Sequence, residues 1–133
     1  MKKYSAILLF LLLGAGISFA QGVEPKFPRQ ILTTVEYAPE FPGGPNALKQ
    51  FLAKHIRYPK EAYKQDIEGK VVVRFIVEPD GSVTGAEVIR SLSPDCDKET
   101  LRVVGKMPLW NPGRQNGAFV AVYYQLPVTF SLK

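Results

Sequence analysis

Few side chains in this sequence could carry out nucleophilic, acid–base or metal chemistry. His55 is the only histidine and Cys96 the only cysteine. A nucleophile needs a base and an orienting group, and a metal needs several ligands at fixed spacing. Asp80 stands in Pro79-Asp80-Gly81, a sequence typical of a turn. We therefore predict that the protein is not an enzyme and binds no cofactor and no metal.

The chemistry that remains is main-chain hydrogen bonding at the edge of a β-sheet. Apolar and more polar side chains alternate from Phe119 to Leu132, which predicts a strand with one buried face. Pro127 lies inside this segment, and a proline has no amide hydrogen to donate within a sheet, so the strand is predicted to lie at an edge. Such an edge offers unpaired N–H and C=O groups to a further extended chain.

Two helices are predicted to support this strand. From Pro45 to Ile56, apolar residues recur at helical spacing along one face. Ser93 is a typical N-cap, Pro94 suits the first helical position, and Pro108 ends this second helix. A proline between the two helices can also start a short helical segment over Lys60–Gln65.

The strongest strand signal is Lys70–Glu78, which is β-branched or aromatic at six of nine positions. Its two faces are both largely apolar, which predicts a central strand with cover on both sides. The turn at Pro79-Asp80-Gly81 leads into a return strand over Val83–Arg90, with a bulge at Gly85. The order hairpin, helix, edge strand predicts an α+β fold of β-β-α-β type with a three-stranded antiparallel sheet.

The N-terminal part is predicted to serve export and to lead into the domain. Residues 1–20 have a basic start, an apolar run and small residues before Gln21, the pattern of a cleaved signal peptide. Residues 21–44 are rich in proline and are predicted to form an extended arm, and residues 45–133 to form the domain. Removal of Lys2 and Lys3 lowers the formal charge from +5 to +3. A charge this small does not indicate a protein that binds nucleic acid.

From Tyr58 onward, the sequence resembles the C-terminal domain of the TonB family, the periplasmic part of the energy transducers of Gram-negative bacteria. The resemblance depends on an ordered set of short motifs, each weak alone. They are Tyr58-Pro59, Ile67-Glu68-Gly69, Pro79-Asp80-Gly81-Ser82-Val83, Trp110 with Pro112, Asn116-Gly117 and Leu126-Pro127-Val128-Thr129-Phe130.

The resemblance implies a small periplasmic module that takes part in energy-coupled transport across the outer membrane. Its sheet would accept one more strand, a short N-terminal segment of an outer-membrane receptor called the TonB box. The residues that we expect to contact this peptide are Tyr58 at a helix junction and Ala121, Tyr123, Gln125 and Thr129 on the edge strand.

The N-terminal region departs from the family pattern and leaves alternatives open. A family transducer has an N-terminal membrane helix and a long spacer, whereas the arm here has 24 residues and the first segment has a cleavage pattern. We therefore expect a stand-alone periplasmic relative. The alternatives are a full transducer anchored in the inner membrane, and a module outside transport that binds peptidoglycan or forms a homodimer. Inner-membrane motor proteins are further candidate partners.

Overall fold

The computed structural model describes residues 29–132, and its centre is a three-stranded antiparallel sheet. The strands are β1 (Gly69–Val77), β2 (Val83–Arg90), β3 (Gly113–Gln115), β4 (Ala118–Val120) and β5 (Val122–Phe130). In the main sheet, β1 lies between β2 and β5. The pairing of β1 with β5 runs from Gly69 opposite Phe130 to Val77 opposite Val122 without a register shift. The predicted α+β class, central strand and edge strand are confirmed.

The two outer strands differ in regularity. The pairing of β2 with β1 contains two register shifts, one between Val72 and Val73 and one between Arg74 and Ile76. At the second shift, Gly85 has a φ of 61°, which confirms the predicted bulge. Bulges bend a strand and disturb its outer edge, so β2 is a poor template for a further strand.

Three helices accompany the sheet: α1 (Pro45–His55), α2 (Lys60–Lys64) and α3 (Pro94–Val104). At the start of α3, the Cys96 backbone N–H donates to the Ser93 hydroxyl at 3.1 Å, and Pro94 takes the first position, as predicted. The short helical segment predicted over Lys60–Gln65 is confirmed as α2, which ends at Lys64 and brings the helices of the described residues to three.

The core lies on one face of the sheet. Alternate side chains of β1, from Val71 through Phe75 to Val77, are fully buried there with Cys96 of α3. The other face of β1 carries Val72 and Ile76, which are half-buried and lie outside this cluster. The prediction that both faces of β1 are covered is therefore wrong. None of the described helices packs over the second face of the sheet, where these apolar residues lie.

An aromatic cluster connects the helical layer to the sheet. The Trp110 ring lies 5.4 Å from Phe75, 4.8 Å from Tyr124 and 5.6 Å from Phe41, between ring centroids. The Trp110 backbone N–H also donates to the Gly81 carbonyl at 2.8 Å. This tryptophan therefore holds the β1–β2 turn, the sheet and the segment before α1 together.

The prediction of a single last strand over Phe119–Leu132 is wrong in its first part. It is interrupted at Ala121, and the piece before the break, β4, pairs with β3 instead of β1. The β3–β4 hairpin turns at Asn116 and Gly117, both with positive φ. The apolar alternation continues through both strands, so the pattern does not reveal that they belong to different sheets.

The arm packs against the domain over the part that the structure describes. Isolated bridges pair Leu32 with Val122, Tyr37 with Arg114 and Glu40 with Asn111. The bridges at Leu32 and Tyr37 are separate and do not form one continuous strand, because the arm moves from β5 to β3 between them. The predicted signal peptide and residues 21–28 lie outside the described residues.

Candidate functional site

The outer edge of β5 presents backbone groups away from β1. The Leu32 N–H donates to the Ala121 carbonyl and the Tyr123 N–H donates to the Leu32 carbonyl, each at 2.9 Å. Because backbone direction alternates along a strand, the N–H groups of Gln125 and Thr129 also point outward. Pro127 has the same phase, so its missing N–H falls on the outer side and leaves the β1–β5 pairing intact.

Two hollows lie along this edge, between β5 and α1. The one nearer the arm, which we name the Phe41 hollow, has a volume of about 250 Å³. It is lined mainly by Pro39, Phe41, Leu48, Leu52, Tyr124 and Leu126. The second, which we name the Tyr58 hollow, has a volume of about 490 Å³. It is lined mainly by Leu52, Ala53, Ile56, Tyr58, Val128 and Phe130. The two hollows share Lys49, Leu52 and Pro127 and so form one continuous groove.

The arm occupies the first part of the β5 edge. Its hold on the sheet includes Arg29, whose two terminal nitrogens donate to the Glu78 carboxylate at 2.6 and 2.8 Å. This hydrogen bond from Arg29 holds the pKa of Glu78 below its ordinary range. Beyond Leu32 the arm leaves β5 and pairs next at Tyr37, so the edge from Gln125 onward is not covered by the described arm.

The contact residues predicted on the edge strand have different surroundings. Ala121 is buried, and its carbonyl already pairs with the arm. Tyr123 is half-buried, its N–H also pairs with the arm, and its ring lies 4.3 Å from the Arg74 guanidinium carbon on the face away from the helices. Gln125 and Thr129 are exposed on the uncovered part of the edge. The structure therefore brings Gln125 and Thr129 together in one open segment and places Ala121 and Tyr123 against the arm.

Tyr58 forms part of the groove wall and of the packing below it. Its hydroxyl donates to the Ile67 carbonyl, and its ring meets Phe130 edge-on at 5.7 Å. Burial raises the pKa of the Tyr58 phenol. Both interpretations of Tyr58 from the sequence, junction packing and ligand contact, are therefore compatible with its position.

The groove residues of α1 were not predicted as site residues. Leu48, Leu52 and Ile56 share the apolar face that the sequence shows, and such a face is ordinarily assigned to the core. Leu48 is buried, whereas Leu52 and Ile56 are half-buried along the groove. The signal available in the sequence was the breadth of this apolar face, which contains more residues than the short sheet can cover.

The described residues offer no arrangement typical of catalysis or metal binding. No three His, Cys, Asp or Glu side chains are grouped as metal ligands within residues 29–132. His55 Nδ1 lies 2.9 Å from the Phe51 carbonyl oxygen, and Cys96 is fully buried in the core.

Comparison with known proteins agrees with this geometry. Residues 54–132, more than half of the chain, match the profile of the Gram-negative bacterial TonB protein C-terminal domain. The chain belongs to the TonB C-terminal family. Over 78 residues it is 33% identical to Protein TonB from each of two Helicobacter pylori strains, 26695 and J99. These residues are 58% of this chain and 26% of each relative, so the chain matches about a quarter of the length of these TonB proteins.

A solved structure shares the TonB C-terminal fold. The solution NMR structure of the Helicobacter pylori TonB C-terminal domain superimposes with a TM-score of 0.50 at 27% sequence identity. The match covers 69% of this chain and 87% of the Helicobacter domain. The family profile begins at residue 54, so nearly all of α1 and the whole described arm precede it. Within residues 29–132 no helix has the length and apolar character needed to cross a bilayer.

Proposed function

We propose that this TonB-family chain binds a short extended segment of an outer-membrane receptor by adding it as a fourth strand beside β5. The observation that carries the proposal is the edge of β5, which is regular over nine paired residues and uncovered from Gln125 onward. Unpaired N–H and C=O groups in a row bind another extended chain through main-chain hydrogen bonds. Family membership supports the class of partner, a TonB-box segment.

The choice of β5 over β2 follows from their backbones. β2 is bulged twice, and bulges interrupt the even spacing that a new strand would need. β5 has no such interruption, and its only missing outward donor is at Pro127. A partner strand could therefore accept hydrogen bonds from the N–H groups of Gln125 and Thr129, with one missing donor between them at Pro127.

We place this binding in the periplasm, as a part of energy-coupled transport. The sequence pattern of residues 1–20 supports export with cleavage before Gln21, and the family supports the transport role. The partner and the transport role remain proposals, because the chain matches only about a quarter of the length of its TonB relatives.

Backbone amide NMR tests the proposal directly. The purified protein is titrated with a synthetic N-terminal peptide of an outer-membrane receptor. We expect chemical shift changes concentrated between Tyr123 and Thr129. Gln125→Pro removes one outward N–H, and leaving the peptide carbonyl unpaired costs about 1–3 kcal/mol. This corresponds to a loss of affinity of about 5- to 150-fold.

Gln125→Val is the matched control, because it keeps the N–H and changes only an exposed side chain. Val122→Pro is unsuitable, since Val122 is buried and its backbone faces β1 rather than the partner. Unchanged binding by a folded Gln125→Pro variant would contradict strand addition. A second outcome would instead support the homodimer alternative. In that outcome the protein dimerises as its concentration rises, the same amides become protected, and receptor peptides do not bind.

A further inference from the structure

We infer that α1 selects the added strand by accommodating two of its side chains, at positions i and i+4, in the Phe41 hollow and the Tyr58 hollow. The partner would be an extended peptide with apolar side chains at both positions. This inference rests on the proposed function and extends it from main-chain pairing to sequence preference. It assigns the sequence preference to α1, and nearly all of α1 lies before the first residue that matches the family profile.

The spacing of the hollows matches the repeat of a β-strand. Tyr124 and Leu126 line the Phe41 hollow, and Val128 and Phe130 line the Tyr58 hollow, all on the same face of β5. A strand added beside β5 lies about 4.8 Å away and repeats its side chains on one face every second residue. A strand residue i opposite Tyr124 or Leu126 would therefore face the Phe41 hollow, and residue i+4 would face the Tyr58 hollow, with Leu52 of α1 between them.

The lining of the hollows determines the preferred side chains. Phe41, Leu48 and Leu126 are each at most 7% exposed, so the Phe41 hollow is apolar and already largely desolvated. The Tyr58 hollow is larger and also borders Thr129 and Ser131, so it suits a larger side chain with some polar character. Lys49 lies at the boundary of both hollows and disfavours a basic residue in the peptide at that point.

The α1 wall is held in position before any peptide binds. Phe41 contacts Phe51 of α1 at 5.4 Å and Trp110 of the core at 5.6 Å, between ring centroids. Arg102 of α3 donates to the His55 carbonyl at the last residue of α1, at 3.0 Å. A wall fixed at two points does not have to be ordered on binding, and this preorganisation favours affinity.

The pairing of the arm with β5 supports an extended peptide as the ligand of the groove. Leu32 already binds the outer edge of β5 as an added strand residue would, with one hydrogen bond donated and one accepted. The groove continues from that point along the same edge, past Tyr124 and Leu126. The site proposed here therefore prolongs an edge interaction that the chain makes with its own arm.

Two short synthetic peptides test the inference by isothermal titration calorimetry. One carries leucine at positions i and i+4 in a threonine background, and the other carries serine at i+4. We expect the first to bind about ten- to a hundredfold more tightly, because one apolar side chain is buried in its hollow. A third peptide with serine at both positions should bind most weakly.

A protein variant that fills one hollow gives the decisive comparison. Ala53 is exposed on α1 and lines only the Tyr58 hollow, so Ala53→Trp should occlude that hollow without disturbing the core. We expect it to weaken the two-leucine peptide about tenfold or more and to leave the one-leucine peptide unchanged, since that peptide can use the Phe41 hollow. Gln50→Trp is the matched control, because Gln50 is exposed on α1 and lines neither hollow.

The outcomes separate this inference from the proposed function. Equal affinities for all three peptides, with Gln125→Pro weakening every one, would overturn side-chain selection by α1 and leave strand addition standing. Equal effects of Ala53→Trp and Gln50→Trp on the two-leucine peptide would overturn it as well. No binding of any peptide, including the receptor peptide, would overturn the proposed function and this inference together.

Discussion

Replacement of Gly81 by alanine should unfold the protein far more readily than an ordinary turn mutation. Gly81 has a φ of 90°, in the left-handed region, where a side chain costs roughly 1–2 kcal/mol. Its missing Cβ would overlap the Trp110 carbonyl oxygen and come within 3.3 Å of the Trp110 backbone nitrogen. Relief of that overlap must move the turn and strain the hydrogen bond from the Trp110 N–H to the Gly81 carbonyl.

The expected loss combines the backbone strain with the steric overlap. Overpacking against a rigid backbone costs about 1–3 kcal/mol. The total is therefore about 2–5 kcal/mol, a large share of the roughly 5–15 kcal/mol by which small domains are stable. Trp110 is the only tryptophan and is 3% exposed, so its fluorescence reports urea unfolding of this region.

Gly117→Ala provides the matched control. Gly117 has a φ of 78°, but a Cβ there would meet no atom within 4 Å. It should therefore show the backbone cost alone, about 1–2 kcal/mol. If Gly81→Ala were no more destabilising than Gly117→Ala, the close approach of the turn to Trp110 would have no energetic weight and our account of this contact would be refuted.

Two further predictions concern the core and the pH dependence of stability. Phe75→Ala should cost about 3–5 kcal/mol in urea unfolding, because Phe75 is fully buried; a loss below about 1 kcal/mol would contradict its core position. Hydrogen bonds from Arg102, and one from the Arg57 backbone, lower the pKa of Glu99 below its ordinary value of 4.5. The stability from Glu99 is therefore present above pH 4.5 and lost as the pH falls through the lowered value. The urea midpoints of wild type and Glu99→Gln should differ at pH 7 and converge as the pH falls through the lowered pKa of Glu99, and a constant difference would contradict this role of Glu99.

The central part of the fold could be predicted from the sequence because its signals are local. β1 is dense in β-branched residues, the Pro79-Asp80-Gly81 turn has its own backbone preferences, and the Ser93 cap marks the start of α3. Each of these features depends on residues adjacent in the chain. Because these local signals agree with one another, the order of the elements could be predicted.

The parts that could not be predicted depend on contacts between distant residues. The arm pairs with β5 and β3 through backbone groups, which leave no trace in side-chain pattern, so neither Leu32 nor the occupied carbonyl of Ala121 could be anticipated. The break at Ala121 was hidden for a related reason, since alternation shows which face is buried and not which strand is the partner.

The candidate site was predictable only in its backbone component. Pro127 identified an edge strand, because a missing N–H is tolerated only where no inner partner needs it. The groove was missed because Leu48 and Leu52 have the helical spacing of ordinary core residues. Whether such residues line a core or a groove depends on how α1 is placed over β5.

The two bulges of β2 also limit how many molecules can join through the sheet. Fibres grow when both edges of a sheet can accept strands, so that each new molecule presents another open edge. In the described part of this chain β2 is irregular, and β5 alone has a regular pairing edge. Two copies that met through β5 would leave only bulged strands outside, and association would stop at a pair. Under the proposed strand addition, the same irregularity would limit binding to one peptide per molecule, and a self-paired molecule would have to separate before a peptide could bind.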